Sequence, residues 1–514
     1  MSNSCCPHCH QRISPQNPLS SHPSDLQDEI EQVRSEIEGL NSLLDVLTQK
    51  RVVLLQRLNY LQSTVSVLPP ETLALIFKSA CTANTYNSRH SVGITSITPL
   101  PRAFDWEEDE KAGSVKPYHC TQLILSAVSS RWREVTHSTP QLWATLELDG
   151  SKERTVKQQF TILRHFLHYS RQLPFSLSVR FARQSFLLDE TMGLIYKNKN
   201  RIQSLRLVQA PESWMQHVPL LPYIAEFHAK YCLWAELQVP GKCSHLTVDE
   251  HYGDVRLMTY HTLTVLRLRR VSVDVALNLL RQCPNLIEYR NREPEVYLHD
   301  EIELPTEPFS LAQLETFEWH AYATTNVIFD EAMCAFAHLP VLRELVWGEM
   351  AGGDYSYALP LFERLPSSLS SLTLVGCSVE NSIATLDFVP DGLSIDCITL
   401  SRCKDALSVI SRLKERPNSS TWRLPKLNSI FIHSTPSVVA LDSALADLLE
   451  GRSSKGALGT FRIEISSDSR DQVHNHSVFR TPETRQRFRE VVAGGIELEI
   501  VENGEIADWL WLDE

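Results

Sequence analysis

The chain has 514 residues, 43% of them apolar, and a net charge of −13. That length predicts more than one domain, and that apolar share can build a large core. The acidic balance excludes the basic footprint of a nucleic-acid or anionic-membrane binder, and no apolar run reaches the ~18 residues of a membrane span.

Residues 1–24 are rich in Ser, Pro, Asn and His and read as a loosely ordered tail. Within them Cys6-x-x-Cys9, with His10 beside it, supplies half of a tetrahedral zinc site. The other half is missing, so the alternative is a tail with free thiols; no metal and no cofactor is assigned. The start of the chain lacks the apolar stretch of a signal peptide, and the 12 cysteines are scattered, which predicts a reducing compartment, cytoplasmic or nuclear.

Residues 25–67 carry the strongest periodicity. Ile30, Val33, Ile37, Leu40, Leu44, Leu47, Arg51, Leu54, Leu58 and Leu61 alternate steps of four and three, a heptad with a at Ile30 and d at Val33. Arg51 is the one charged core position. The expectation is a coiled coil that pairs with a second copy; the alternative is a long helix packed back on its own chain.

Residues 68–145 open with Leu68-Pro69-Pro70-Glu71. Tandem prolines preset φ for a first helical turn, and Glu71 suits its positive end. Leu73, Ile76, Phe77 and Ala80 then form one apolar stripe. A second short helix is expected with Leu123, Ala127 and Val128 inward. A third carries Trp132 and Val135 and stops before Pro140; Leu142 and Trp143 follow. A polar insert, residues 82–116, separates the first helix from the others, and its acidic run around Trp106 reads as a solvated loop.

Leu-Pro-Pro-Glu-x-Leu-x-x-Ile-Phe from Leu68, Val-Ser-x-x-Trp-Arg from Val128 and Thr-Pro-x-Leu-Trp from Thr139 stand in the order of a known motif. The stretch resembles the F-box, in the version common in the F-box-like family of mushroom-type fungi. Ser130 stands where many members carry cysteine, and the insert is a second departure. The resemblance implies a three-helix unit that docks a Skp-type adaptor subunit, and through it a cullin. The residues it implies for docking are Leu68, Pro69, Leu73, Ile76, Phe77, Val128, Trp132, Leu142 and Trp143.

From residue 146 to 514 an irregular repeat runs to a C-terminal cap. Each unit reads apolar-x-x-apolar-x-apolar, as in Ile202-x-x-Leu205-x-Leu207, Leu263-x-x-Leu266-x-Leu268 and Leu314-x-x-Phe317-x-Trp319. Units recur every 19 to 32 residues, through to Leu458-x-x-Phe461-x-Ile463. Cys232, Cys377 and Cys403 each follow the last apolar position by three residues, the Asn/Cys slot of a leucine-rich repeat. Helical stripes such as Val275, Leu277, Leu279 and Leu280 lie between strands. The fold class expected is α/β: a leucine-rich-repeat-like solenoid, preceded by an F-box three-helix unit and a long N-terminal coiled-coil helix.

Alternation along such strands sends Arg206, Arg267, Arg269 and Phe431 to the concave face. The three arginines suit an acidic or phosphorylated partner, and Phe431 an apolar anchor; the alternative is that the arginines pair with neighbouring acids. No P-loop, dinucleotide fingerprint, His-Glu-x-x-His or Gly-x-Ser-x-Gly occurs. The chain therefore reads as a non-catalytic binding protein. The resemblance implies the substrate-recognition adaptor of a Skp–cullin–F-box ubiquitin ligase, with an unknown protein substrate; a non-ligase scaffold is the alternative.

Overall fold

In the computed structural model the chain divides into two compact units, Met1–Ser79 with His119–Thr136, and Ala80–Tyr118 with His137–Glu514. The structure describes residues 23–62, 68–86, 120–149, 156–181, 189–502 with interruptions (the longest are 296–303, 415–423 and 467–481), and 505–506. The Cys6, Cys9 and His10 cluster, Trp106 and the terminal Trp509 and Trp511 lie outside the described residues. The chain is α/β, with a long N-terminal helix and one large parallel sheet. Among the described residues no helix is long and apolar enough to cross a membrane.

In the first unit, helix α1 (Pro23–Gln62) runs unbroken for 40 residues, a rod about 60 Å long at 1.5 Å per residue. Every described side chain along it, residues 27–58, is exposed. The heptad positions are bare: Ile30 is 41% exposed, Leu40 and Leu44 60%. Among the described residues the helix does not pack back on the short helices of its own unit.

Those short helices are α2 (Pro70–Tyr86), α3 (Thr121–Val128) and α4 (Ser130–Ser138). Pro70 begins α2 as its φ allows, and Leu73 N–H donates to Pro69 O at 3.1 Å. The helix runs five residues into the segment expected to be the insert. Leu73 and Phe77 are wholly buried, and Phe77 lies 4.8 Å from the Trp132 ring. Ser129 accepts the Trp132 N–H at 3.1 Å, capping α4. The Arg131 guanidinium donates to Leu68 O, tying the entry of α2 to α4.

The second unit is built on a sheet of fifteen strands, hydrogen-bonded in chain order. They are Thr145–Asp149, Phe175–Arg180, Ile202–Val208, Glu226–Cys232, His245–His251, Val265–Val271, Glu288–Arg292, Thr316–Ala321, Glu344–Glu349, Ser371–Val375, Cys397–Ser401, Ser429–His433, Thr460–Ser466, Glu497–Glu502 and Glu505–Ile506. All neighbours pair in parallel except the last two, which close as an antiparallel pair. The strands expected from the apolar repeat fall on these segments. Their inward residues form a continuous core: Leu266, Tyr289, Phe317, Leu345, Leu372, Ile398 and Ile430 are all 0% exposed. Each such side chain adds about 1.5–3 kcal/mol of burial.

Returning helices cover that face. Val273–Gln282 buries Val275, Leu277, Leu279 and Leu280, and Tyr289 reaches across to donate to Ala276 O at 3.0 Å. Trp319 Nε1 donates to Asp330 Oδ1 at 2.7 Å, fixing the helix Val327–Phe336 over its strand. Among the described residues the units that start at Phe227 and Leu246 depart from the expected strand-plus-helix pattern. Phe227, Leu246 and Leu266 stand only 19 and 20 residues apart, too few for a returning helix. Extended segments Glu236–Val239 and Asp254–Leu257 pair with each other there instead. The register also moves the Thr460–Ser466 unit. Ile463 lies opposite Ile430, a shift of two residues in the pairing, while the expected inward residues Phe461 and Ile463 are both buried.

Several strands are left through the same turn. Two residues beyond the second inward position the backbone is left-handed, at Gln209, Tyr231, Glu250, Arg270 and Arg402, and at Gly376 with φ 68°. The turning amides of Gln209, Gly376 and Arg402 bond the carbonyls of Lys230, Ser401 and His433 on the next strand, each at 2.8 Å. At Gly376 a side chain is also excluded by space, since a Cβ would lie 2.6 Å from Glu349 O. One residue further, Cys232, Cys377 and Cys403 are buried. The Cys403 thiol donates to Leu374 O at 3.4 Å and the Cys232 thiol to Lys230 O at 3.3 Å. Burial pushes the Cys232 thiol up to about 12, so it remains a protonated donor. His251 occupies the same slot in its own unit, with Nδ1 3.0 Å from Cys232 O.

Candidate interaction surfaces

The first surface lies on the small helical unit. Of the residues expected to dock a partner, Pro69 and Ile76 are exposed, Leu68 and Trp132 half-buried, and Val128 is 56% exposed. Leu73 and Phe77 are not available: they form the core of the unit with Trp132. The orientation of α3 also differs from the expectation. Leu125 is its buried residue, whereas Ala127 and Val128 face out with Ile124. An eight-residue helix offers only two turns, too few for its sequence to fix the inward side. Leu75, at 65% exposure, was not singled out from sequence and is the barest apolar side chain on α2.

Leu142 and Trp143 belong elsewhere. They sit on a short turn, Pro140–Trp143, of the second unit, and both are buried. Trp143 packs 5.0 Å from Phe166 and 5.0 Å from Tyr169, closing the core at the first strand. Their role in the structure is to cap the sheet rather than to face a partner.

The second surface is the other face of the sheet. Parallel register builds rows across it. One row runs Arg206, His228, Thr247, Arg267, Arg290, Glu318, Val346, Thr373, Thr399 and Phe431. Arg267 is held by both oxygens of Glu288, at 2.7 and 3.1 Å. Arg290 bonds Glu288 at 2.7 Å and Glu318 at 3.0 Å, with Glu344 at 3.8 Å. Glu318 also accepts from Arg292 at 2.5 and 3.0 Å and lies 3.2 Å from His320 Nε2. Arg269 pairs with Glu293, Arg270 with Glu250 and Glu293, and Lys230 with Asp249.

Six cations (Lys230, Arg267, Arg269, Arg270, Arg290, Arg292) thus meet six carboxylates (Asp249, Glu250, Glu288, Glu293, Glu318, Glu344). The lattice is neutral as a whole, and its centre is closed to water, with Glu318 2% exposed. Burial disfavours the Glu318 carboxylate, but the His320 hydrogen bond and the Arg292 charge outweigh it, and its pKa falls well below the usual carboxylate range. Glu288 is shifted down in the same way against its burial, by Arg267 and Arg290. His228 moves down too: burial first, then the charges of Arg206, Lys230 and Arg267, keep its imidazole neutral. The expected acid-binding role of Arg267 and Arg269 is therefore not what the geometry provides. Both are engaged by acids of their own sheet, as the alternative foresaw. Arg206 stands in the same row, part-buried, between Ser178 and His228.

The face changes character further along. Thr373, Thr399 and Phe431 are half-exposed neighbours in one row, and Val375, Ser401 and His433 stand beside them in the next. This strip is uncharged. Phe431 and His433 stack at 6.5 Å, and the Arg462 guanidinium stands 6.0 Å from the Phe431 ring. The charged lattice was within reach of sequence reasoning. Aligning the inward residues Leu266, Tyr289, Phe317 and Leu345 puts Arg267, Arg290, Glu318 and Val346 in one row and Val265, Glu288, Thr316 and Glu344 in the next.

Among the described residues no group of three or more His, Cys, Asp or Glu is arranged to hold a metal. No protein-family model matches the chain, and no curated protein matches it.

Proposed function

We propose that the chain is a substrate-recognition adaptor of a Skp–cullin–F-box type ubiquitin ligase. The helical unit α2–α4 serves as the F-box that docks the Skp-type subunit, and the parallel sheet is a leucine-rich-repeat solenoid that holds a protein substrate. The observation that carries this reading is the contrast within the small unit. Its few buried residues, among them Leu73, Phe77, Leu125 and Val135, are set against exposed Leu75, Ile76, Ile124 and Val128. Side chains of that kind left bare on a unit this small suit a partner's surface. The order of the Leu68, Val128 and Thr139 motifs supports it further.

Chemistry is not asked of this chain. Docking by one unit and substrate capture by the other raise the local concentration of substrate lysines beside a ubiquitin-charged enzyme, so the rate gain comes from tethering. For the substrate we assign the uncharged strip at Thr373, Thr399, Phe431 and His433. The Arg–Glu lattice is occupied by itself, whereas Phe431 offers an apolar anchor beside hydroxyl groups. Affinity capture of the full chain from cells tests the reading. Recovery of both the Skp-type subunit and a cullin supports a ligase; the Skp-type subunit without cullin supports a scaffold; neither partner overturns the F-box assignment.

A further inference from the structure

We infer that α1 pairs with α1 of a second copy of this chain, and that the two helices run antiparallel in full overlap. This goes beyond the adaptor reading and does not depend on it. An uncovered heptad face, bare at every described side chain of residues 27–58, needs an occupant, and the charges along it say which one. Among the described side chains, residues 27–43 carry Asp28, Glu29, Glu31, Glu36 and Glu38 against Arg34, while residues 44–58 carry Lys50, Arg51 and Arg57 against Asp45. The first half is acidic and the second basic. Parallel pairing sets like on like; turning one helix end for end sets acid on base.

The register follows from the core. In an antiparallel pair each a residue meets a d residue. Matching Ile30 with Leu54, Val33 with Arg51, Ile37 with Leu47 and Leu40 with Leu44 centres the contact at residue 42, the middle of Pro23–Gln62. That same register brings g against g: Glu29 meets Arg57, Glu36 meets Lys50, and Leu43 meets Leu43 of the other copy. By symmetry every charged match occurs twice. Sliding by one heptad in either direction loses one of the two kinds of charge match and shortens the overlap.

Arg51 is then explained. In a parallel pair it would face Arg51 of the other copy inside the core, and the flanks would offer only Glu29 with Arg34. In the antiparallel register it meets Val33, with Glu29 and Glu36 of the second copy one turn away on either side. The groove lined by Leu47, Arg51, Leu54, Leu55 and Leu58 is covered by the Ile30, Val33 and Ile37 face. The C-terminal ends of the two helices come to lie about 60 Å apart, at opposite ends of the rod.

The test uses the full chain in two double variants, Glu29→Lys with Glu36→Lys, and Lys50→Glu with Arg57→Glu, sedimented alone and mixed. The wild type should be a dimer. Each variant alone places like charges at all four g–g matches, and its dissociation constant should rise roughly a hundredfold. An equimolar mixture should restore wild-type affinity as a heterodimer, which also shows that both variants are folded. A wild type that stays monomeric overturns the inference. So does a Lys50→Glu/Arg57→Glu chain that pairs alone as tightly as wild type, the result expected of a parallel pair with Glu29 and Arg34 intact. A mixture no tighter than its components overturns it as well.

Discussion

Replacing Glu318 by alanine removes the carboxylate at the centre of the charged face. It is 2% exposed and accepts from Arg290 at 3.0 Å, from Arg292 at 2.5 and 3.0 Å, and lies 3.2 Å from His320 Nε2. Removing one partner of a buried ion pair costs about 3–5 kcal/mol, because the remaining charge stays desolvated. Arg290 keeps Glu288 at 2.7 Å, which places the expected loss at the lower end, about 3 kcal/mol. The comparison variant is Arg267→Ala. That side chain is a quarter exposed, and its partner Glu288 retains Arg290, so the loss should be about 0.5–1 kcal/mol. Urea unfolding followed by tryptophan fluorescence reads both, since Trp319 and Trp347 are buried on the opposite face of the same and the next strand. A Glu318→Ala loss below about 1 kcal/mol, or an Arg267→Ala loss just as large, would refute a buried, self-neutralised lattice.

Further outcomes follow from other parts of the chain. Gly376→Ala should destabilise by about 1–3 kcal/mol, because φ is 68° and the Cβ would stand 2.6 Å from Glu349 O; thermal denaturation measures it. Glu318 and Glu288 are held below their ordinary value of 4.5, so their stabilisation is complete above about pH 4.5 and is lost as the pH falls through the lower folded values. His228 is also shifted down, from 6.5, so its contribution begins to be lost once the pH drops below about 6.5. Unfolding midpoints from neutral to acid pH should thus fall in two stages, and His228→Asn should flatten the first. Arg51→Leu should tighten pairing through α1 by removing a charge that association desolvates, read by sedimentation of the full chain; weaker pairing would contradict the core position assigned to it.

How far the sequence carried varied with the physics behind each feature. The strands were legible because most contribute a pair of inward apolar residues at a spacing of two, as at Leu266 and Leu268, and burial demands that spacing whatever the neighbours are. The long helix was legible from an apolar spacing of 3.5 along one face, a face that is bare in the structure. The interior side of α3 was not, since Leu123, Leu125 and Val128 are equally apolar and only the rest of the fold chooses Leu125. Leu142 and Trp143 were drawn into the docking set by motif order, while the structure spends them on closing the sheet's first strand. The charged residues were placed on the correct face, and of the two readings Arg267 and Arg269 follow the one in which they pair with neighbouring acids. Arg267 and Glu288 are 21 residues apart in sequence and meet only because adjacent strands align in parallel register. A residue's face follows from its own strand; its partner follows from the next one.

The adaptor reading rests most directly on the exposed side of α2 and α3, and calorimetric titration of the full chain with a purified Skp-type subunit measures that contact. Wild-type chain should bind, and Ile76→Glu with Val128→Glu should abolish binding without unfolding the chain, because both side chains point to solvent in the free protein, 47% and 56% exposed. Absence of binding by the wild type, or equal binding by the double variant, would contradict docking through this unit.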